Sequence, residues 1–189
     1  LLLTVAKGSV VVYNGWRHFY FAYLGILLLA AEGLDRLLRL KARPVWLAAA
    51  VCIIFTAVGL AVNHPYQMCY YNVFAGSHAE TRYEMDYWNV AMYSALRTML
   101  ENDSRDYFLM DCIEDSSFFG VLSNASLLSD KDAERLSYAR DDQQADYIIV
   151  NLTYWYRWGC PTIPDGFAVK EVLSAYGNDI IAIYGRSDA

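Results

Sequence analysis

VWLAAAVCIIFTAVGLAV, residues 45–62, is a run of eighteen residues without a charge. As a helix it would rise about 27 Å at ~1.5 Å per residue, close to the ~30 Å hydrocarbon core of a bilayer. Pro44 stands just before it, where a helix start tolerates proline. A soluble protein of 189 residues would have to hide the whole run inside its core, which so short a chain does poorly. The stretch is therefore read as a transmembrane helix.

Working back toward the start, residues 19–31 are also uncharged but too short to span alone. Extended to residues 16–34 they form a second expected span. Arg17 and His18 then lie at one interface and Glu32 near the other. Trp16, Tyr20 and Tyr23 are interfacial aromatics, and Asn14 is an N-cap. Between the two spans lies DRLLRLKAR, residues 35–43, with four basic residues against Asp35. The positive-inside rule assigns this short loop to the cytoplasm. Residues 13–18 and 64–72 then arrive together at the extracytoplasmic face. Leu1 is not methionine, and residues 1–12 read as the end of an earlier apolar element, so further spans are expected upstream.

Composition agrees with two environments. Apolar residues make up 56% of the chain and charged residues 19%. Residues 1–63 carry a net +4, whereas residues 64–189 hold nine basic and nineteen acidic residues, a net −10. An acidic domain of this kind argues against nucleic acid as a partner. Beyond about residue 76 the pattern becomes that of a soluble domain. Residues 80–101 read as a helix, 107–112 as a short buried strand, 117–122 as a small helix, and 130–140 as a helix capped by Asp130. YIIVNL, residues 147–152, is the strongest strand. Residues 166–184 read as two strands joined at Gly177-Asn178-Asp179. The expected fold is two transmembrane helices, within residues 1–76, followed by a small α/β extracytoplasmic domain, residues 77–189.

The four cysteines fit no metal spacing, and a disulfide among Cys69, Cys112 and Cys160 stays open. Asn102-Asp103-Ser104, Asn124-Ala125-Ser126 and Asn151-Leu152-Thr153 match the glycosylation acceptor pattern, with Asn151 expected in a buried strand. No phosphate loop, nucleophile elbow or paired-histidine motif occurs. Polar and aromatic residues instead crowd the outer ends of the spans. Arg17 and His18 could bind a lipid phosphate through the planar guanidinium fork, or Arg17 could simply snorkel beside Trp16. His64, Pro65, Tyr66 and Gln67, followed by Tyr70 and Tyr71, leave the second span directly. Glu84 and Asp86 are two apart and cannot share a helix face, so paired-carboxylate chemistry is not expected. Either could cap a helix or hold an acceptor hydroxyl, and helix-start acidity is the favoured reading.

YNGWRHFYF, a basic loop, a span ending in HPYQMCYYN, then YEMDYWN: this order, over roughly residues 12–89, resembles the C-terminal part of bacterial GT-C class glycosyltransferases. The likeness is to the protein O-mannosyltransferase-like (family 39-like) branch. It implies a hexosyltransferase moving a sugar from a polyprenyl-phosphate-linked donor to an acceptor of unknown identity at the extracytoplasmic face. It also implies that the catalytic acidic residue lies in a first outer loop upstream of residue 1. Arg17, His18 and His64 are then donor-phosphate contacts, and Tyr66, Gln67 and Asp86 further binding residues. No cofactor is identified, and a divalent metal stays open. The alternative is a non-catalytic, membrane-anchored sensor, binding or structural domain.

Overall fold

The computed structural model describes residues 20–40, 42–71, 78–113, 115–139, 144–159 and 161–187. The chain divides into two compact units between Ala57 and Val58. Helix α1 runs Tyr20–Arg39 and helix α2 runs Arg43–Val62. Neither contains a buried residue. Among the described residues one helix, α2, is long and apolar enough to cross a membrane. Its surface is covered by exposed Leu, Ile, Val and Phe side chains, the arrangement expected of a helix whose solvent is lipid.

Helix α1 corrects one expectation. The first span was expected to end at residue 34 and give way to a loop at 35–43. The helix instead continues to Arg39. Two ion pairs carry it through the charged stretch, Arg36 Nε to Glu32 Oε1 at 2.7 Å and Arg39 Nε to Asp35 Oδ2 at 2.7 Å. Both have the i,i+4 spacing that places side chains together on a helix surface. The connection shrinks accordingly, with Arg39 and Arg43 as the flanking helix ends. Asn14, Trp16, Arg17 and His18 lie outside the described residues.

The second unit is a mixed α/β domain. Its elements are helix α3 (Met92–Asn102), strand β1 (Phe108–Cys112), helix α4 (Asp115–Ala125), a single turn α5 (Asp130–Ala133), strands β2 (Leu136–Tyr138) and β3 (Tyr147–Asn151), a single turn α6 (Trp155–Trp158), and strands β4 (Phe167–Ala175) and β5 (Asn178–Arg186). The five strands lie in the order β2-β1-β3-β5-β4. β1 pairs parallel with β2 and β3, and β5 pairs antiparallel with β3 and β4. YIIVN is thus the middle strand, as its unbroken apolar run indicates. Its alternate residues point to opposite faces. Ile149 joins the core with Met92, Leu96, Met99 and Val121 of α3 and α4. Ile148 and Val150 face a smaller cluster with Trp155, Ile163, Phe167 and Tyr184.

Three local readings are corrected. Residues 80–101 are not one helix: a 3₁₀ turn occupies Ala79–Thr81, and α3 begins only at Met92. Asn89 has a positive φ of 56 degrees, a left-handed conformation that no helix interior contains. Tyr83 and Tyr87 keep helical spacing by coincidence and lie in the preceding loop. Residues 130–140 are one helical turn followed by β2. The cap of that turn is Ser129, whose side chain accepts the Asp132 N–H, the ordinary role of a serine at that position. The β4–β5 turn is Tyr176-Gly177, both at positive φ, with Asn178 already in the strand. Both central residues are left-handed, as a two-residue hairpin requires. Glycine adopts this freely, whereas tyrosine must be held there.

Candidate functional site

Three groups of polar residues occupy the second unit. The first follows the end of α2. The last carbonyls of any helix lack partners within it. Here Asn63 and Gln67 supply them: Asn63 Nδ2 donates to Gly59 O at 3.0 Å and Gln67 Nε2 to Leu60 O at 3.2 Å. Asn63 Oδ1 also accepts the Tyr176 backbone N–H at 2.7 Å. The Tyr176 ring stands edge-on to Tyr70 with centroids 5.2 Å apart. This pair of contacts holds the tyrosine in its left-handed conformation and ties the β4–β5 turn to the end of α2. Gln67 Nε2 lies 2.9 Å from His64 Nδ1. An amide NH₂ only donates, so Nδ1 accepts and the ring proton sits on Nε2. His64 is exposed and can offer that proton to an anion. Tyr66 OH donates to Ser94 Oγ on α3 at 2.7 Å, so it braces the domain. Of the expected donor-side residues, Tyr66 and Gln67 are held in structural contacts, His64 is accessible, and Arg17 and His18 lie outside the described residues.

The second group surrounds Asp86, which is fully buried. Its carboxylate accepts the N–H groups of Val90 at 2.8 Å and Ala91 at 2.7 Å, the two residues that precede α3. Burial raises its pKa, and the two backbone hydrogen bonds oppose that shift, since both stabilise the charged form. Asp86 is therefore not the cap of α3, whose N-cap residue is Ala91 and which has no acidic residue in its first turn; it holds the loop that leads into the helix. Sequence reading missed its neighbours. Asn151, at the end of β3, donates to Asn89 Oδ1 at 2.6 Å, and its own N–H goes to Ser117 Oγ at 3.2 Å. Thr153 Oγ1 donates to Asp86 O at 3.0 Å. Each polar group in this buried set satisfies another, which fixes the 86–89 loop to the carboxyl end of β3. Asn151 is unavailable for glycosylation because its amide is inside this network. Asn124 spends its amide on Asn89 O and Gly120 O. Asn102 is exposed.

The third group forms a cleft of about 430 Å³ at the other end of the domain. Met99, Ile183, Gly185 and the turn from Asn102 to Arg105 line it. That turn is rigid. Arg105 donates to both Asp103 oxygens, with Nη2 to Oδ2 at 2.6 Å, and reaches Asp146 Oδ1 at 2.8 Å. Tyr147 OH donates to Asp103 Oδ2 at 3.0 Å. Arg135 binds the carbonyls of Leu100, Asp103 and Arg105 and so caps the end of α3. The Arg105 guanidinium holds the Asp103 carboxyl down to about 2, and burial pushes the Tyr147 phenol up. The first shift comes chiefly from the hydrogen bonds that Arg105 donates to the carboxylate and the second from desolvation. Lys170, Glu171 and Arg186 complete the opening. These residues are spread across the sequence in no motif, and only the fold assembles them.

Cys69 and Cys112 are free thiols, each pushed up to about 12 chiefly by burial, so neither is a nucleophile at neutral pH. Cys160 lies outside the described residues. Among the described residues no set of three or more His, Cys, Asp or Glu side chains is placed to hold a metal. Comparison of the chain with protein-family models, with curated proteins and with solved structures finds no match.

Proposed function

We propose that the chain is the C-terminal part of a membrane glycosyltransferase that moves a sugar from a polyprenyl-phosphate-linked donor to an extracytoplasmic acceptor. On this reading α1 and α2 both span the bilayer, and the mixed α/β domain stands on the extracytoplasmic side. One observation carries the proposal: an unburied helix, uncharged from residue 45 to its end, leads into a turn that presents an exposed histidine where lipid headgroups would lie. On this reading His64 meets the donor phosphate through Nε2–H, and Arg17 is a second donor-phosphate contact. Both stabilise the negative charge that develops as the lipid phosphate leaves the anomeric carbon.

The test is sugar transfer from a polyprenyl-phosphate-linked donor by the full-length protein in liposomes, normalised to folded protein. Arg17→Ala is expected to lose about ten- to a hundredfold in turnover, the size of one charge-assisted hydrogen bond. Arg17→Lys keeps the charge but loses the fork and should fall only partly. A snorkelling arginine would give normal turnover with lysine and lower membrane insertion with alanine. No transfer by the wild type from any such donor would end the glycosyltransferase reading in favour of a non-catalytic domain.

A further inference from the structure

The last turn of α2 belongs to the same compact unit as the α/β domain, since that unit begins at Val58. The groups beside this turn are therefore placed within one unit. A Cβ at Gly59 would lie 3.9 Å from Tyr176 Cε1, an ordinary van der Waals distance, so the Tyr176 ring stands against the helix there. Gln67 reaches back to the Leu60 carbonyl at 3.2 Å, and the Tyr70 ring is edge-on to Tyr176. The β4–β5 turn and the turn after α2 thus lie alongside the helix end and not beyond it. The helix ends at Val62, and Gly59 is about 4.5 Å short of that point at ~1.5 Å per residue. Tyr176 is level with the uncharged run itself.

This end of the domain has the chemistry that such a depth requires. The domain is acidic, yet residues 44–71 and 172–178 contain no Asp, Glu, Lys or Arg. Asp179, just past the turn, accepts from Ser174 Oγ at 2.7 Å. Glu80, whose neighbour Ala79 donates to Asn178, is buried. Side chains satisfy the backbone of the turn: the Tyr176 N–H goes to Asn63 Oδ1 at 2.7 Å, and its carbonyl accepts from Asn178 Nδ2 at 3.2 Å. Backbone that meets lipid needs internal partners of this kind, because hydrocarbon supplies none. The Tyr176 hydroxyl is turned inward and buried. Tyr70 and Met68 are the exposed side chains beside it, and a phenol is suited to the boundary between headgroups and acyl chains.

We propose that the tip of the β4–β5 hairpin, with Tyr70 and Met68, enters the outer leaflet at the level of the headgroup–acyl boundary. The domain then meets the bilayer at a second point besides α2, and His64, in the same turn as Tyr70, is held at the height of the lipid phosphates. The inference rests on α2 spanning the bilayer, as in the reading above. The test places the photoreactive residue p-benzoylphenylalanine at one position at a time in the whole chain, in phosphatidylcholine nanodiscs. Lipid adducts are read by intact mass after irradiation. Tyr70 reports the proposed contact, and Phe55, exposed on α2, reports the span. Val169, exposed on β4, reports the rest of the domain; about 23 Å of strand separates it from Tyr176 at ~3.3 Å per residue. The expected result is a mass increase of one phosphatidylcholine at Tyr70 and at Phe55, and none at Val169. An adduct at Phe55 without one at Tyr70 overturns the proposal and leaves the spanning helix intact. No adduct at Phe55 removes the span and the proposal with it. An adduct at Val169 equal to that at Tyr70 also overturns the proposal, because the hairpin tip would then have no special place at the membrane.

Discussion

Asp86→Ala is expected to lower the stability of the folded domain by about 2–4 kcal/mol, the range for stranding buried hydrogen-bonding groups. Two N–H groups lose their acceptor just before α3. Ala91 is buried, so water cannot replace the carboxylate there. The loss is partly offset because burial disfavours the carboxylate itself, which is why its pKa is raised. Asp86→Asn keeps one acceptor oxygen and should lose less. Urea unfolding of the whole chain in detergent micelles, followed by tyrosine and tryptophan fluorescence, measures this as a lower midpoint at unchanged slope. An alanine variant within about 0.5 kcal/mol of the parent would show that Asp86 does not hold the loop before α3. Full stability with lost sugar transfer would instead make it a substrate contact.

Ile54→Asp is expected to stop α2 from crossing the membrane. Ile54 stands near the middle of Arg43–Val62. Isoleucine at a helix centre favours insertion by about 0.3–0.6 kcal/mol, whereas aspartate opposes it by about 2.5–3.5 kcal/mol. The change of about 3–4 kcal/mol exceeds a hundredfold in partitioning. If α2 remains out of the membrane, the domain that follows it stays on the cytoplasmic side. Protease added to inside-out vesicles should then digest the domain in the variant and leave it protected in the parent. Continued protection of the Ile54→Asp domain would contradict a spanning α2. Ile54→Ala, which adds no charge, serves as the control.

The most legible elements were those whose signal is local and apolar. The uncharged run became α2 almost residue for residue, and YIIVNL announced the strand buried on both faces. The Asn102-Asp103-Ser104 break ended α3 where expected. Legibility failed where polar side chains decide the backbone. The helix of residues 80–101 was expected from tyrosine spacing, but Asp86 holds the preceding loop by two backbone N–H groups and Asn89 turns left-handed before α3 begins. Likewise the 35–39 stretch looked like a loop because it is charged, yet its charges are paired one helical turn apart. The single turn at Asp130 followed Ser129, one residue earlier than the expected cap. The site residues divided in the same way. His64, Tyr66 and Gln67 were visible because they adjoin the apolar run. The Asn151–Thr153–Ser117 set and the Arg105–Lys170–Arg186 cleft depend on contacts between distant stretches of the chain, and no window of sequence contains them.

The side on which the folded domain stands is the claim on which the rest depends. The decisive measurement is labelling of Lys131→Cys, an exposed position on α5, with a membrane-impermeant maleimide in intact cells, against the parent protein in parallel. Labelling above the parent before permeabilisation is the predicted result, since α2 then delivers the domain to the extracytoplasmic face. Labelling that rises above the parent only after permeabilisation would place the domain in the cytoplasm and contradict it.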